Sequence, residues 1–210
     1  MAQRYGFGGY AAKYAAHGGE NRSLTALESK TIKEWTVNQP NRIWWARPGK
    51  LCAMERPGGG GRSHRPQRRE ADIAYLVDSG VRVVVSTMTT RHNLGYYEEA
   101  GLEWRHVPVA SCEEGAEALD QLLPLLRRET RRRGAVAVHG NRQTDFVAAV
   151  CAAHLHEARG VAPEEALAAA VEAGLTVTAE AATLLGVSYE AVHPRSRMAS
   201  STASGLSVTT

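Results

Sequence analysis

Short apolar, β-branched segments alternating with amphipathic helical stretches predict an α/β domain, with a mainly parallel sheet covered by helices on both faces. The runs Val81–Ser86 and Ala135–His139 are apolar enough for central strands. Around them, apolar residues repeat at helical spacing, as in Leu119, Leu122, Leu123 and Leu126, or Val147, Val150, Cys151 and Leu155. The composition agrees: 43% of the 210 residues are hydrophobic and 22% charged, which excludes wholesale disorder. With 25 basic and 22 acidic residues the net charge is only +3, so a dedicated nucleic-acid binder is not implied.

Residues 1–40, which open on Tyr5-Gly6-Phe7-Gly8-Gly9-Tyr10, show no sustained apolar periodicity and read as an N-terminal extension. They hold no apolar core of the signal-peptide kind, and nowhere do eighteen apolar residues run together. A soluble, cytoplasmic protein is expected, without a membrane partner. Ile43-Trp44-Trp45 and Leu51-Cys52-Ala53-Met54 bracket Pro48-Gly49 and read as an edge hairpin. Adjacent Trp44 and Trp45 point to opposite faces of that strand, so one is expected to mark a contact surface or a dock for the extension.

Gly58 to Gly61 and Arg62 to Arg69 read as a mobile basic loop, followed by a helix from Glu70 to Ser79 that presents Ile73, Leu76 and Val77 and stops at Gly80. After the strand at Val81, a helical turn over Tyr96 to Ala100 ends at Gly101, and Trp104 to Val109 reads as another strand. The leucine-repeat helix comes next. Pro124 is expected to bend it, Arg127 to Arg133 place favourable charge at its far end, and Gly134 closes it. Beyond the strand ending at His139 come helices over Thr144 to Arg159, Pro163 to Glu172 and Thr178 to Leu185. Ser196 to Thr210 is Ser/Thr/Ala-rich and reads as a flexible tail. The domain proper is expected over 41–176, with a C-terminal helix and tail over 177–210.

Cys52, Cys112 and Cys151 form no C-x-x-C pair, which supports neither a disulfide framework nor a zinc ribbon. His154 and His156 sit two apart on a helix and so face different ways, a poor metal pair. No metal and no cofactor is expected.

Several phrases carry a family resemblance. They are Trp45 through Pro48-Gly49-Lys50-Leu51, Arg56-Pro57, Ala71-Asp72-Ile73, Gly80 to Ser86, Glu98 to Glu103, His106-Val107-Pro108-Val109, and Gly134 to His139 leading to Thr144 and Val147-Ala148-Ala149. Over roughly two-thirds of the chain this order resembles the dual-specificity branch of the cysteine-dependent protein tyrosine phosphatases. The resemblance implies a three-layer α/β fold and a loop C-x5-R-[S/T] after the Val-His strand end. In that loop backbone N–H groups and a helix N-terminus wrap a phosphate dianion and activate a thiolate. The arginine grips two phosphate oxygens, and an aspartate on a separate loop protonates the leaving oxygen.

The corresponding segment here is His139, Gly140, Asn141, Arg142, Gln143, Thr144. Gly140 stands at the nucleophile position and has no side chain. With Thr144 aligned to the family's Ser/Thr, the loop is three residues short, Gln143 holds the arginine position and Arg142 is one place early. Beyond Val109 the chain reads Ala110-Ser111-Cys112-Glu113-Glu114, without the aspartate. The expectation is a catalytically degenerate member, a pseudophosphatase with a binding or regulatory role, whose partner is a protein or a weakly held anion at the shortened loop. Two alternatives stand beside it. One is altered chemistry using Cys112 with His139. The other is a basic module for acidic partners on Arg62, Arg65, Arg68 and Arg69 or on Arg127, Arg128, Arg131, Arg132 and Arg133; without interleaved aromatics, nucleic acid is not the expected partner.

Overall fold

The computed structural model describes residue 40 and residues 42–59, 65–112, 114–140 and 144–193. The expected extension up to residue 39, the tail from residue 194, Arg62, Glu113 and the loop residues Asn141, Arg142 and Gln143 lie outside the described residues. Pro48-Gly49 does turn the chain. Gly49 takes the left-handed φ of +64° that a residue without Cβ adopts cheaply, and the Lys50 N–H closes onto the Arg47 carbonyl at 2.9 Å. The turn sets β1 (Ile43–Arg47) antiparallel to β2 (Leu51–Met54).

All other pairings are parallel, among β2, β3 (Val81–Ser86), β4 (Glu103–His106) and β5 (Ala135–His139), in the sheet order β1-β2-β5-β3-β4. The last strand in sequence therefore lies at the centre, every one of its residues buried. Helices α1 (Pro66–Asp78) and α2 (Leu94–Glu99) contribute to the apolar layer on one face, with Ile73, Leu76, Leu94 and Tyr97 over Cys52, Met54, Val84 and Ala137. On the other face α3 (Gly115–Arg131), α4 (Asp145–Arg159), α5 (Pro163–Glu172), α6 (Ala179–Leu184) and α7 (Tyr189–Val192) pack over Leu51, Ala53, Val83, Val85, Val136 and Val138. This is the three-layer α/β arrangement, and its core reaches through Val177, Ala181, Ala182 and Val192, beyond the boundary expected at 176.

Several expectations are corrected. Both tryptophans are packed, because each face of the sheet has its own core: Trp44 is buried with the larger layer, and Trp45 packs on the smaller one and donates its indole N–H to the Tyr75 hydroxyl at 3.3 Å. The basic segment is helical from Pro66 onward. Pro66 opens α1 at the position where a missing N–H costs nothing, so Arg68 and Arg69 lie on its first turns, and Arg68 pairs with Glu55 and Asp72. Arg69 lies over the Tyr96 ring, 3.5 Å from its centroid. Strand β4 ends at His106, although Val107 and Val109 N–H groups still bond to Ser86 and Thr87 carbonyls at 3.0 Å each.

Helix α3 runs unbroken through Pro124, which sits on the exposed face where water can serve the freed carbonyl. The arginines at its end are mostly solvated but gather on one buried acid. Glu129, 1% exposed, bonds Arg82 at 2.7 Å and Arg128 and Arg132 at 3.2 Å, with Arg105 at 3.7 Å. Among the described residues no helix is long and apolar enough to cross a membrane.

Candidate functional site

Parallel strands end together, and the loops beyond the C-terminal ends of β3 and β5 open a cavity of about 610 Å³. His139 immediately precedes Gly140 of its lining. As the last residue of β5 it stands in register with Ser86 and Met54 and has no solvent exposure. Its Nδ1 lies 3.0 Å from the Gly140 carbonyl, which only accepts, so Nδ1 carries the proton. Nε2 is then the acceptor for the Tyr97 hydroxyl at 3.0 Å, and the two rings meet edge-on. Burial above all holds the imidazole near pKa 4, with the fields of Arg56 and His106 adding to it and the Gly140 bond opposing. It is a neutral ring with both nitrogens engaged.

The strand end is fixed from the neighbouring loop as well. Thr87 donates both its N–H, at 2.9 Å, and its hydroxyl, at 3.2 Å, to the His139 carbonyl. Asn93, in the left-handed conformation that asparagine tolerates, donates to the Pro57 carbonyl at 2.9 Å and hydrogen-bonds Tyr97. The Tyr97–His139 pair is thereby tied to the chain that leaves β2.

Of the segment from His139 to Thr144, His139, Gly140 and Thr144 are described. Gly140 is buried and lines the cavity. Thr144, also buried, precedes α4 but does not cap it; its Oγ1 accepts the Thr176 N–H at 2.8 Å, turning it toward the segment before α6. The anion at the helix start is supplied by the protein. Asp145, the first residue of α4, accepts the Phe146 N–H through Oδ1 at 2.8 Å and the Thr178 hydroxyl through Oδ2 at 3.4 Å. A carboxylate there is favoured by the macrodipole and occupies one of the N–H groups an incoming anion would use.

Cys112 reaches the same cavity but meets Asp145, not His139. Its half-buried thiol is pushed up to about 12, first by desolvation, then by the adjacent Asp145 carboxylate, which it hydrogen-bonds, and by Glu180. The opposing charge thus comes from α4 and α6 rather than from Glu114, which is exposed ahead of α3. Cys52 and Cys151 are fully buried, and burial raises both thiols.

Among the lining residues, Asp145 and Arg56 were not singled out by the sequence reading. Asp145 carries no motif, its only sequence signal being an acid at a helix start. Arg56 entered solely as part of a phrase, and it is buried at the cavity wall. The histidines first weighed as a metal pair are apart in role: His154 is buried against Arg47 and Thr130, and exposed His156 donates Nδ1–H to the Val161 carbonyl at 2.9 Å.

No family model matches the sequence, and no curated protein matches it. Solved structures do match its fold. PTPMT1 in complex with PI(5)P aligns over 73% of this chain and 96% of its own length, with a TM-score of 0.52 and 15% identity. A putative protein tyrosine phosphatase from Leishmania major aligns over 65% and 86%, with a TM-score of 0.52 and 19% identity. Tk-PTP, in a mutant form, aligns over 65% and 87%, with a TM-score of 0.50 and 21% identity.

Proposed function

From the protein tyrosine and dual-specificity phosphatase fold that this chain carries, we propose a pseudophosphatase, which binds or regulates through the cleft without hydrolysing phosphate esters. The observation that carries this reading is the Asp145 carboxylate on the Phe146 N–H at the start of α4. A phosphate dianion drawn to that helix end meets a fixed negative charge, and at ~4 Å each pair of like unit charges costs roughly 4 kcal/mol at an effective dielectric near 20. The strand end supports the same reading, since Gly140 offers no attacking atom after His139.

A relocated nucleophile finds little support. With its thiol pushed up to about 12, Cys112 is thiolate in roughly one molecule in 10⁵ at neutral pH. His139 has no free lone pair with which to take its proton. Of the arginines at the end of α3, Arg128 and Arg132 join Arg82 on Glu129 and Arg127 pairs with Glu157, which favours a structural reading of that cluster. In this reading the partner is a protein or an anion received by the cleft, and the three free cysteines suit a reducing cytoplasm.

Hydrolysis of p-nitrophenyl phosphate by the full chain across pH 5 to 8, with Cys112→Ala as control, tests the proposal. Neither protein is expected to release nitrophenol above the buffer rate. Turnover abolished by Cys112→Ala overturns the reading and establishes a relocated nucleophile. Turnover in both proteins overturns it in favour of a nucleophile elsewhere.

A further inference from the structure

We infer that Arg56 anchors an oxyanion-binding site in the cleft, which takes a small molecule bearing one singly charged carboxylate or phosphate-ester group. This rests on reading the cleft as a binding site rather than a hydrolytic one. Arg56 stands on the chain leaving β2, two residues beyond Met54, and lines the same cavity as the start of α4.

The first ground is a buried charge without an ion pair among the described residues. A guanidinium stays protonated under all ordinary conditions, and a buried one is normally matched by an acid. Arg56 is 8% exposed, yet among the described residues no carboxylate forms an ion pair with it. Glu55 and Tyr97 lie within reach of its field, but the Glu55 carboxylate is engaged by Arg68 at 3.5 Å. What Arg56 does bond is a carbonyl: Nε and Nη2 both donate to Gly59 O, at 3.0 and 2.8 Å.

The second ground is the geometry this bond creates. Holding two guanidinium nitrogens on one carbonyl fixes the plane of the group, so its remaining nitrogen is preorganised rather than mobile. Nη1 has no partner among the described residues, and Arg56 lines the cavity. Hydroxyl donors share that lining on Thr89, Thr90 and Ser111, and a volume of about 610 Å³ suits a small molecule.

The third ground sets the charge of the ligand. Asp145 lines the same cavity, so a second negative charge on the ligand is repelled where a first is held by Arg56. One nitrogen offers two N–H groups, which suits a single oxyanion rather than the enveloping grip a transferring phosphoryl group receives.

The test is titration of the full chain with benzoate, the singly charged diester diphenyl phosphate and neutral benzyl alcohol, followed by amide chemical shifts. Saturable binding of benzoate, diphenyl phosphate or both is expected, with shifts at Thr89, Thr90 and Ser111 and none from benzyl alcohol. Whichever anion binds identifies the source of the charge. Arg56→Met is expected to weaken binding about tenfold or more. That variant also loses the Gly59 anchor, so Asp145→Asn supplies a second arm: asparagine still accepts at a helix start, and removing the charge is expected to tighten binding several-fold. The inference is overturned if neither anion binds, if binding persists in a folded Arg56→Met, or if Asp145→Asn leaves affinity unchanged. Phosphate release from p-nitrophenyl phosphate by the same protein instead overturns the pseudophosphatase reading, while the benzoate arm still decides the Arg56 site.

Discussion

Acidification from pH 7 to pH 5 is expected to remove about 4 kcal/mol of folding stability, most of it through two buried histidines. His139 is fully buried and His154 is 1% exposed, and each titrates near pKa 4 in the folded chain against an ordinary value of 6.5. Desolvation is the main cause in both, reinforced at His154 by Arg47 and Arg127. The folded value is depressed, so the unfolded chain binds the proton first. Stability is therefore full above pH 6.5 and falls as pH drops toward 4. At pH 5 an unfolded histidine is almost fully protonated and the folded one almost fully neutral, a difference of about 2 kcal/mol for each ring.

Urea unfolding followed by far-UV circular dichroism at pH 7, 6 and 5 measures the loss. His154→Gln is expected to halve the change between pH 7 and 5 whatever it does to stability at pH 7, and His139→Gln to do the same. Asp72, whose carboxyl is held above its ordinary value mainly by burial, acts with the opposite sign, so slopes are compared between variants as well as within wild type. Stability that is flat from pH 7 to 5, or a slope unaltered in both variants, refutes the assignment.

Two further substitutions probe the frame around the site. Glu129→Gln removes the acid on which four arginines converge, and about 2 to 3 kcal/mol of stability is expected to go with it, the low end for a buried pair because the arginines keep partial exposure. A loss under about 0.5 kcal/mol in urea unfolding places that network among solvated surface pairs. Gly115→Ala puts a Cβ 2.9 Å from the Phe146 ring and 3.0 Å from Leu184, overpacking the junction of α3, α4 and α6. The cost is expected at about 1 to 3 kcal/mol, read as a Tm lower by about 2 to 10 °C. An unchanged Tm means the junction yields freely.

Patterns that repeat were legible in the sequence; single contacts were not. The runs at Val81 and Ala135 announce buried strands because a doubly covered strand has no polar face to show. Pro163 and the acids after it placed α5 at its observed bounds. The arginines before Glu70 misled, since charge suggested a loop whereas Pro66 at a first helical position suited a helix start. Trp45 misled for a related reason, because its face is solvent only if the sheet has one core. At the site, the glycine that follows His139 is visible directly, since absence of a side chain is a property of the sequence. The pairing of Asp145 with the Phe146 N–H and the burial of Arg56 without an acid depend on how the loops fold over the sheet, which no local spacing encodes.

The central place of β5 also bears on how the chain assembles during synthesis. β2 and β3 both pair with β5 and not with each other, and the Leu51–Val136 contact spans some 85 residues of chain. Until residues 135–139 leave the ribosome, the β1–β2 hairpin and the β3–β4 pair are separate pieces, each with an open hydrogen-bonding edge. Nascent chains arrested before Ala135 are therefore expected to stay protease-sensitive, with full protection only once α4 to α7, which cover one face of β5, have followed it.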